Sequence, residues 1–171
     1  MYKPLYSIVF CIAGVFLGTI AHAQFSQKFA VNSQRKVMIE SPDNFMSIEI
    51  FNNQNDSIQL ITNYNFIETD NIISFQVSDY NFDGNKDFSI SYPQAGNTIY
   101  HLFIYNPRTK EFNRIYYPTN TKAMCESFSN ISLDSQKKHI ISTCKNEDNQ
   151  NYTDIWIINE DGIAEFTGKK K

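Results

Sequence analysis

The sequence is poor in the residues that most often punctuate or staple a small protein: it has six glycines, five prolines, three cysteines and one tryptophan. No Gly-x-Ser-x-Gly, His-Glu-x-x-His or Cys-x-x-Cys run occurs. The corresponding nucleophile turn, zinc-protease helix and paired-cysteine sites are therefore missing. Beyond residue 23 the only histidines are His101 and His139, each in a strand-like run. A histidine so placed is more often a packed or surface residue than a base. With no nucleophile or base marked out, the protein is expected not to be an enzyme. Basic clusters are missing too, apart from Lys169-Lys170-Lys171, and the formal charge is −3. That excludes the electrostatic footprint of a nucleic-acid binder. No stretch has a convincing helical period, and leucine and alanine are sparse.

Long apolar runs are missing everywhere except at the start. Lys3 precedes a run from Leu5 to Ile20 that contains no charge, and Ala21-His22-Ala23 follows. A short basic region, an apolar stretch and an Ala-x-Ala site form a secretory signal peptide, with cleavage expected after Ala23. The run is about 16 residues, short of the roughly 20 that a membrane-spanning helix needs. Cys11 lies inside it behind the bulky Ile8-Val9-Phe10, which argues against a lipid-attachment site. Residues 24–171 are expected to form one soluble, periplasmic β-rich domain with no membrane contact. They are too few for two ordinary domains and enough for one core.

What the chain does have is isoleucine, phenylalanine, tyrosine and asparagine. β-Branched and aromatic side chains suit a pleated surface. Residues 25–34 read as a polar, loosely held start. Strands are expected at Val37–Ile39, Met46–Phe51, Ile58–Thr62, Asn71–Ser78, Phe88–Tyr92, Ile99–Tyr105, Glu111–Tyr117, Ser127–Ser132, His139–Thr143, Tyr152–Ile158 and Ile163–Phe166. Between them stand turns such as Ser41-Pro42-Asp43-Asn44, Pro93–Asn97, Asn106-Pro107-Arg108-Thr109 and Asn159–Gly162, built from residues that bond or pre-set the local backbone. Ile99–Tyr105 is strongly apolar and aromatic, as a central strand would be. About ten short strands imply an all-β fold, either a compact antiparallel sandwich or a partial propeller-like domain.

Cys125 and Cys144 remain after cleavage, an even number in an oxidising compartment, which points to a disulfide. A hairpin centred between Asp134 and Ser135 would set the two directly opposite each other. The alternative is a pair of buried free thiols.

The sharpest motif is Asp79-Tyr80-Asn81-Phe82-Asp83-Gly84-Asn85-Lys86-Asp87. Calcium takes six to eight hard oxygen ligands. Oxygen side chains spaced by two along a curling loop converge on one point, and Gly84 permits the sharp turn. Asp79, Asn81, Asp83, Asn85 (through its carbonyl) and Asp87 are the expected ligands. Ile90 stands where an EF-hand needs a bidentate glutamate, so the site is strand–loop–strand. Magnesium, which keeps more of its water, suits it less well. A solvated acidic turn is the plainer reading of the same residues.

The stretch Val77 to Ile90 resembles the repeat of FG-GAP proteins, the calcium-loop modules of integrin-like propellers. Tyr100 to Tyr105, followed by Asn106-Pro107-Arg108-Thr109-Lys110-Glu111-Phe112, is similar to the strand, turn and phenylalanine of a group of small exported bacterial proteins. That group includes periplasmic immunity proteins, which block cell-wall-degrading effectors delivered by rival bacteria. Their β-rich fold is similar to that of periplasmic lysozyme inhibitors. The likeness spans roughly residues 72–117. It implies a calcium cofactor and, as partner, a secreted peptidoglycan-degrading effector or lysozyme-like enzyme; a homodimer is left open. Lysozyme inhibitors push a loop into the enzyme's cleft, and the segment nearest to one here is Ser91–Tyr100, with Tyr92, Gly96, Asn97 and Tyr100 as contacts. The competing expectation is a calcium-dependent adhesion or envelope-structure module, although such modules usually come in repeats.

Overall fold

The computed structural model describes residues 25–62, 74–145, 149–159 and 161–169. The expected signal peptide, the Asn71–Ile73 start of one expected strand and the last two lysines lie outside them. All regular structure in the described residues is β, in twelve strands. These make three antiparallel meanders of four strands each, following one another along the chain. The first holds β1 (Phe25–Ala30), β2 (Lys36–Ser41), β3 (Ile48–Phe51) and β4 (Ser57–Ile61). The second holds β5 (Ser74–Ser78), β6 (Asp87–Gln94), β7 (Asn97–Asn106) and β8 (Glu111–Ile115). The third holds β9 (Ser132–Asp134), β10 (His139–Lys145), β11 (Asn151–Ile158) and β12 (Ala164–Lys169). The arrangement is sandwich-like, with no closed barrel among the described residues.

The second sheet is the middle layer. Side chains alternate across a strand, and here both faces are covered. Phe88, Ile90, Phe103, Tyr105 and Phe112 turn to one core, where Val37, Ile39, Ile48 and Ile50 of the first sheet meet them. Leu102, Ile104 and Ile115 turn to another, against Phe128, Ile140, Trp156 and Ile158. That is why Asp87 to Tyr92 is buried without a break and why Ile99–Tyr105 reads as a continuous apolar run. The small Ser89 occupies the second face of β6, and its hydroxyl is satisfied by the Tyr80 phenol at 2.7 Å. Phe88 stacks on Phe103 with ring centroids 4.6 Å apart. Trp156, the chain's single tryptophan, meets Tyr117, Phe128 and Phe166 edge-on.

Three expectations are corrected. Residues 25–30 are a full strand, paired with β2 from Phe25↔Ser41 to Ala30↔Lys36. Phe25 and Phe29 fall on one face of it and pack on the first core, which anchors an otherwise polar edge. The Ser127–Ser132 strand does not form. β9 begins only at Ser132, and the preceding segment is held by one bridge, Ile99↔Ser129. The β9–β10 hairpin pairs His139 with Asp134 and Ile140 with Leu133, so its turn lies at residues 135–138. The disulfide Cys125–Cys144 is present, with Cα atoms 5.7 Å apart. It ties β10 to the irregular segment before β9; it does not cross the hairpin.

Candidate functional site

The two ends of the stacked sheets are built differently. One end gathers the first and third turns of every sheet, and each of these six turns begins with an asparagine or aspartate. Asn52 Oδ1 accepts the N–H groups of Gln54 and Asp56 at 2.8 and 3.0 Å. Asn106 Oδ1 accepts from Arg108 at 2.9 Å, and Asn159 Oδ1 from Asp161 and Ile163 at 3.1 and 2.9 Å. Asn32 Oδ1 takes the N–H groups of Gln34 and Arg35, both at 3.0 Å, and Asp134 takes that of Lys137 at 3.1 Å. Asp79 opens the sixth. Such a side chain replaces a missing backbone acceptor, which lets a turn close without glycine. Each fourth strand is therefore entered through the same device: Ile50-Phe51-Asn52, Ile104-Tyr105-Asn106 and Ile157-Ile158-Asn159. Sequence reasoning took these as separate turns, although the recurring apolar-apolar-Asn triplet was there to read.

The Asp79–Asp87 loop crosses this end. Ser78↔Asp87 is the last rung beneath it. Asp79 takes the Asp83 N–H on Oδ1 at 3.1 Å and the Gly84 N–H on Oδ2 at 2.9 Å. Asp83 Oδ1 takes the N–H of Asn85 at 2.7 Å, and Asn81 Oδ1 lies 3.4 Å from the Asp83 nitrogen. Phe82 at φ 59° and Gly84 at φ 89° supply the left-handed curl. Asn85 Oδ1 accepts from Asn32 Nδ2 at 2.7 Å, and Lys86 N–H donates to the Val31 carbonyl at 2.7 Å. Those two bonds fasten the loop to the first sheet.

Asp87 is fully buried. Its Oδ2 accepts the Tyr80 N–H at 2.7 Å and its Oδ1 the Tyr105 N–H at 2.9 Å. Burial pushes its carboxyl up to about 7, with the charges of Asp83 and Asp79 adding to the rise and the two N–H donors opposing it. This carboxylate is the keystone that joins the loop's base to β7. Among the described residues no group of three or more His, Cys, Asp or Glu side chains is gathered so that it could hold a metal ion. The loop's remaining side-chain oxygens belong to Asp79, Asn81 and Asp83, and they turn toward the loop's own N–H groups. Asp83 Oδ1 accepts from both the backbone and the side-chain amide of Asn85, while the two Asp79 oxygens and Asn81 Oδ1 each keep a further lone pair. These are donors of the kind a hard, oxygen-seeking cation takes, with Asp87 beneath as the support.

Between the second and third sheets at this end lies a cavity of about 380 Å³. Asn81, Asp83, Asn106 and Asn113 line one side, Asn159 and Asp161 the other, over a floor of Ile104 and Ile158. Arg108 reaches Asp161 across the mouth at 3.7 Å, both side chains about three-quarters exposed. A pair so open to water contributes about 0–1 kcal/mol.

The other end carries the middle turn of each sheet. Gln94 pairs with Asn97, leaving Ala95 and Gly96 as a two-residue hairpin tip at φ 49° and 76°. Asn97 is braced to the third sheet: its Oδ1 accepts the Lys145 N–H at 3.0 Å and the Asn130 amide at 3.1 Å. Gln94, Ala95 and Gly96 are exposed. Tyr92 is corrected as a surface contact, because it is only 5% exposed and its ring stacks on His101 inside the fold. Tyr100 is half-buried against the second core. A second buried carboxylate, missed in the sequence, serves this end. Asp154 Oδ2 accepts the N–H groups of Met124 and Cys125 at 2.9 and 2.8 Å, holding the disulfide loop.

His101 lies midway between the ends. Arg114 Nη2 is 2.7 Å from its Nδ1. Arginine only donates, so Nδ1 accepts and the ring proton sits on Nε2. Burial, then the Arg114 charge, push the imidazole down to about 4. Burial and the facing arginine hold the ring in its neutral form. Compared with protein-family models, curated proteins and solved structures, the chain shows no match.

Proposed function

We propose that this protein is an exported, periplasmic inhibitor of the immunity type, which occupies the cleft of a peptidoglycan-degrading effector or lysozyme-like enzyme and performs no chemistry of its own. The observation that supports the reading most is the β6–β7 hairpin. Its tip, Gln94-Ala95-Gly96, is exposed, while the strands beneath are paired to the last rung and Asn97 is cross-braced to the third sheet. A projection ordered before binding loses little conformational freedom on entering a cleft. A type I′-like tip favours Asn or Gly at its first position, yet Ala95 stands there at φ 49°. Strain kept at an exposed tip fits a binding role. Met46 and Met124, 59% and 43% exposed, offer apolar contact at the same end.

In this reading calcium sits at the opposite end, held by Asp79, Asn81, Asp83 and the Asn85 carbonyl, and stiffens the loop that joins the sheets. The contact residues become Gln94, Ala95, Gly96 and Asn97. The test is peptidoglycan turnover by a panel of secreted hydrolases and effectors with the purified protein added in excess. A stoichiometric loss of one enzyme's activity supports inhibition; full activity across a panel that includes the effectors of competing bacteria overturns it. The cavity at the asparagine-rich end favours a second reading, a calcium-dependent adhesion or envelope module. Calcium-dependent retention on envelope material, without effect on any hydrolase, would be its signature.

A further inference from the structure

The cavity between the second and third sheets has a lining that the hairpin reading does not use. It is formed where three turns meet: the Asp79–Asp87 loop, the β7–β8 turn and the β11–β12 turn. Its volume of about 380 Å³ falls in the range of about 300–1,000 Å³ typical of small-molecule sites.

The hydrogen-bonding groups that face it are balanced in kind. Asn106 spends its carbonyl oxygen on the turn backbone and Asn81 turns its oxygen to the Asp83 nitrogen. That leaves the amide N–H groups of both as donors. The Asn113 amide makes no hydrogen bond to the other described residues, so it offers a donor and an acceptor. Arg108 adds donors, and the carboxylates of Asp83 and Asp161 add acceptors. A ligand that suits such a set donates and accepts from adjacent atoms. The apolar floor of Ile104 and Ile158 then needs C–H groups on the ligand's other side. Strong net charge is disfavoured, because Arg108 already stands against Asp161.

We infer that this cavity is a saccharide site, taking one sugar residue of a hydroxyl-rich glycan by its vicinal hydroxyls, with the ring's C–H face on Ile104 and Ile158. Asn113 is suited to vicinal hydroxyls because its amide presents a donor and an acceptor side by side, with the Asn81 and Asn106 amides as further donors and the carboxylates as acceptors. The site lies at the end away from Gln94–Gly96, so it stands independently of the inhibitor reading and would hold an inhibitor on the glycan where its target works.

The test uses the purified protein with two probes, the β-1,4 disaccharide of N-acetylglucosamine and cellobiose, each at millimolar concentration. Saturation-transfer NMR reads the sugar, and protein side-chain amide shifts read the site. Transfer to ring protons with shifts at Asn81 and Asn113 is expected. A response to the N-acetylated sugar alone places the source in wall-type glycans; a response to cellobiose as well places it in neutral polysaccharides. Asn113→Ala and Arg108→Ala, two exposed substitutions outside the cores and turn caps, should each weaken binding by about tenfold, with unchanged thermal unfolding. No transfer to either sugar, or transfer that survives both substitutions, overturns the assignment. Hydrolase inhibition, measured on the same variants, should be unaffected.

Discussion

The two ends of this stack solve one problem by different means. Each must hold an irregular segment against buried sheets, and each uses a fully buried carboxylate that accepts two backbone N–H groups. At the asparagine-rich end Asp87 has no covalent help. It joins the acidic loop to β7, and loop bonds to Asn32 and Val31 complete the attachment. At the hairpin end Asp154 shares its work with the Cys125–Cys144 disulfide. A noncovalent keystone beneath an acidic loop leaves that end to be held by hydrogen bonds alone. A keystone reinforced by a disulfide fixes the frame from which the Gln94–Gly96 tip projects.

The largest way to break the comparison is to remove the covalent half. Cys125→Ser with Cys144→Ser should cost about 3 kcal/mol, the loop-closure entropy of a bridge of this span. Denaturant unfolding followed by Trp156 fluorescence measures it. A loss that also changes the cation response of the acidic loop would show that the ends are not separate. Asp87→Ala strands two buried N–H groups and should cost about 2–3 kcal/mol. Asp154→Ala should cost less while the disulfide persists, about 1–2 kcal/mol, and more in the cysteine-free background. Equal losses at the two sites in the oxidised protein would refute the division of labour.

Acid acts between the ends, at His101. Burial lowers its pKa from the ordinary 6.5 to about 4 in the folded chain, so between those values the unfolded chain binds more protons. The stability linked to the neutral imidazole is complete above pH 6.5 and is lost as pH falls toward 4, by about 3 kcal/mol. Asp87 works the other way in the same window, since its raised pKa favours the folded state as pH falls. Urea midpoints of His101→Gln, compared with the unaltered protein, should therefore gain relative stability as pH drops from 6.5 toward 4. The smallest effect belongs to the tip. Ala95→Gly relieves the positive φ and should raise stability by about 0.5–1 kcal/mol, read as a small rise in the unfolding midpoint.

Much of the β-architecture is legible in the chain because alternation and aromatic content leave few other choices. Ile99–Tyr105 announced a central strand, and the even cysteine count beyond the expected signal peptide announced the disulfide. β1 escaped notice because only Phe25 and Phe29 commit it to the core. The β9–β10 register was misplaced because Asp134-Ser135 looks like a turn centre, whereas the chain turns later, through Lys137 and Lys138, with Lys138 at φ 55°. The threefold repetition was hidden because so little sequence carries it: two apolar residues and one asparagine per sheet. Asp87 was read as the ligand that closes the shell, and its full burial was not legible, since spacing within an acidic loop does not reveal that its last member begins a buried strand. Tyr92 was read as a surface contact for a similar reason; β6 stays buried as far as that residue.

The most direct test of the central claim sets the two ends against each other in one assay. Inhibition of the proposed hydrolase target should be measured for the unaltered protein, for Ala95→Glu at the tip and for Asp83→Ala in the acidic loop, with calcium added. The account predicts that Ala95→Glu weakens inhibition by tenfold or more, about 1.4 kcal/mol or greater, while Asp83→Ala leaves it within about twofold. Full inhibition by Ala95→Glu together with its loss in Asp83→Ala would contradict the account and move the working surface to the asparagine-rich end.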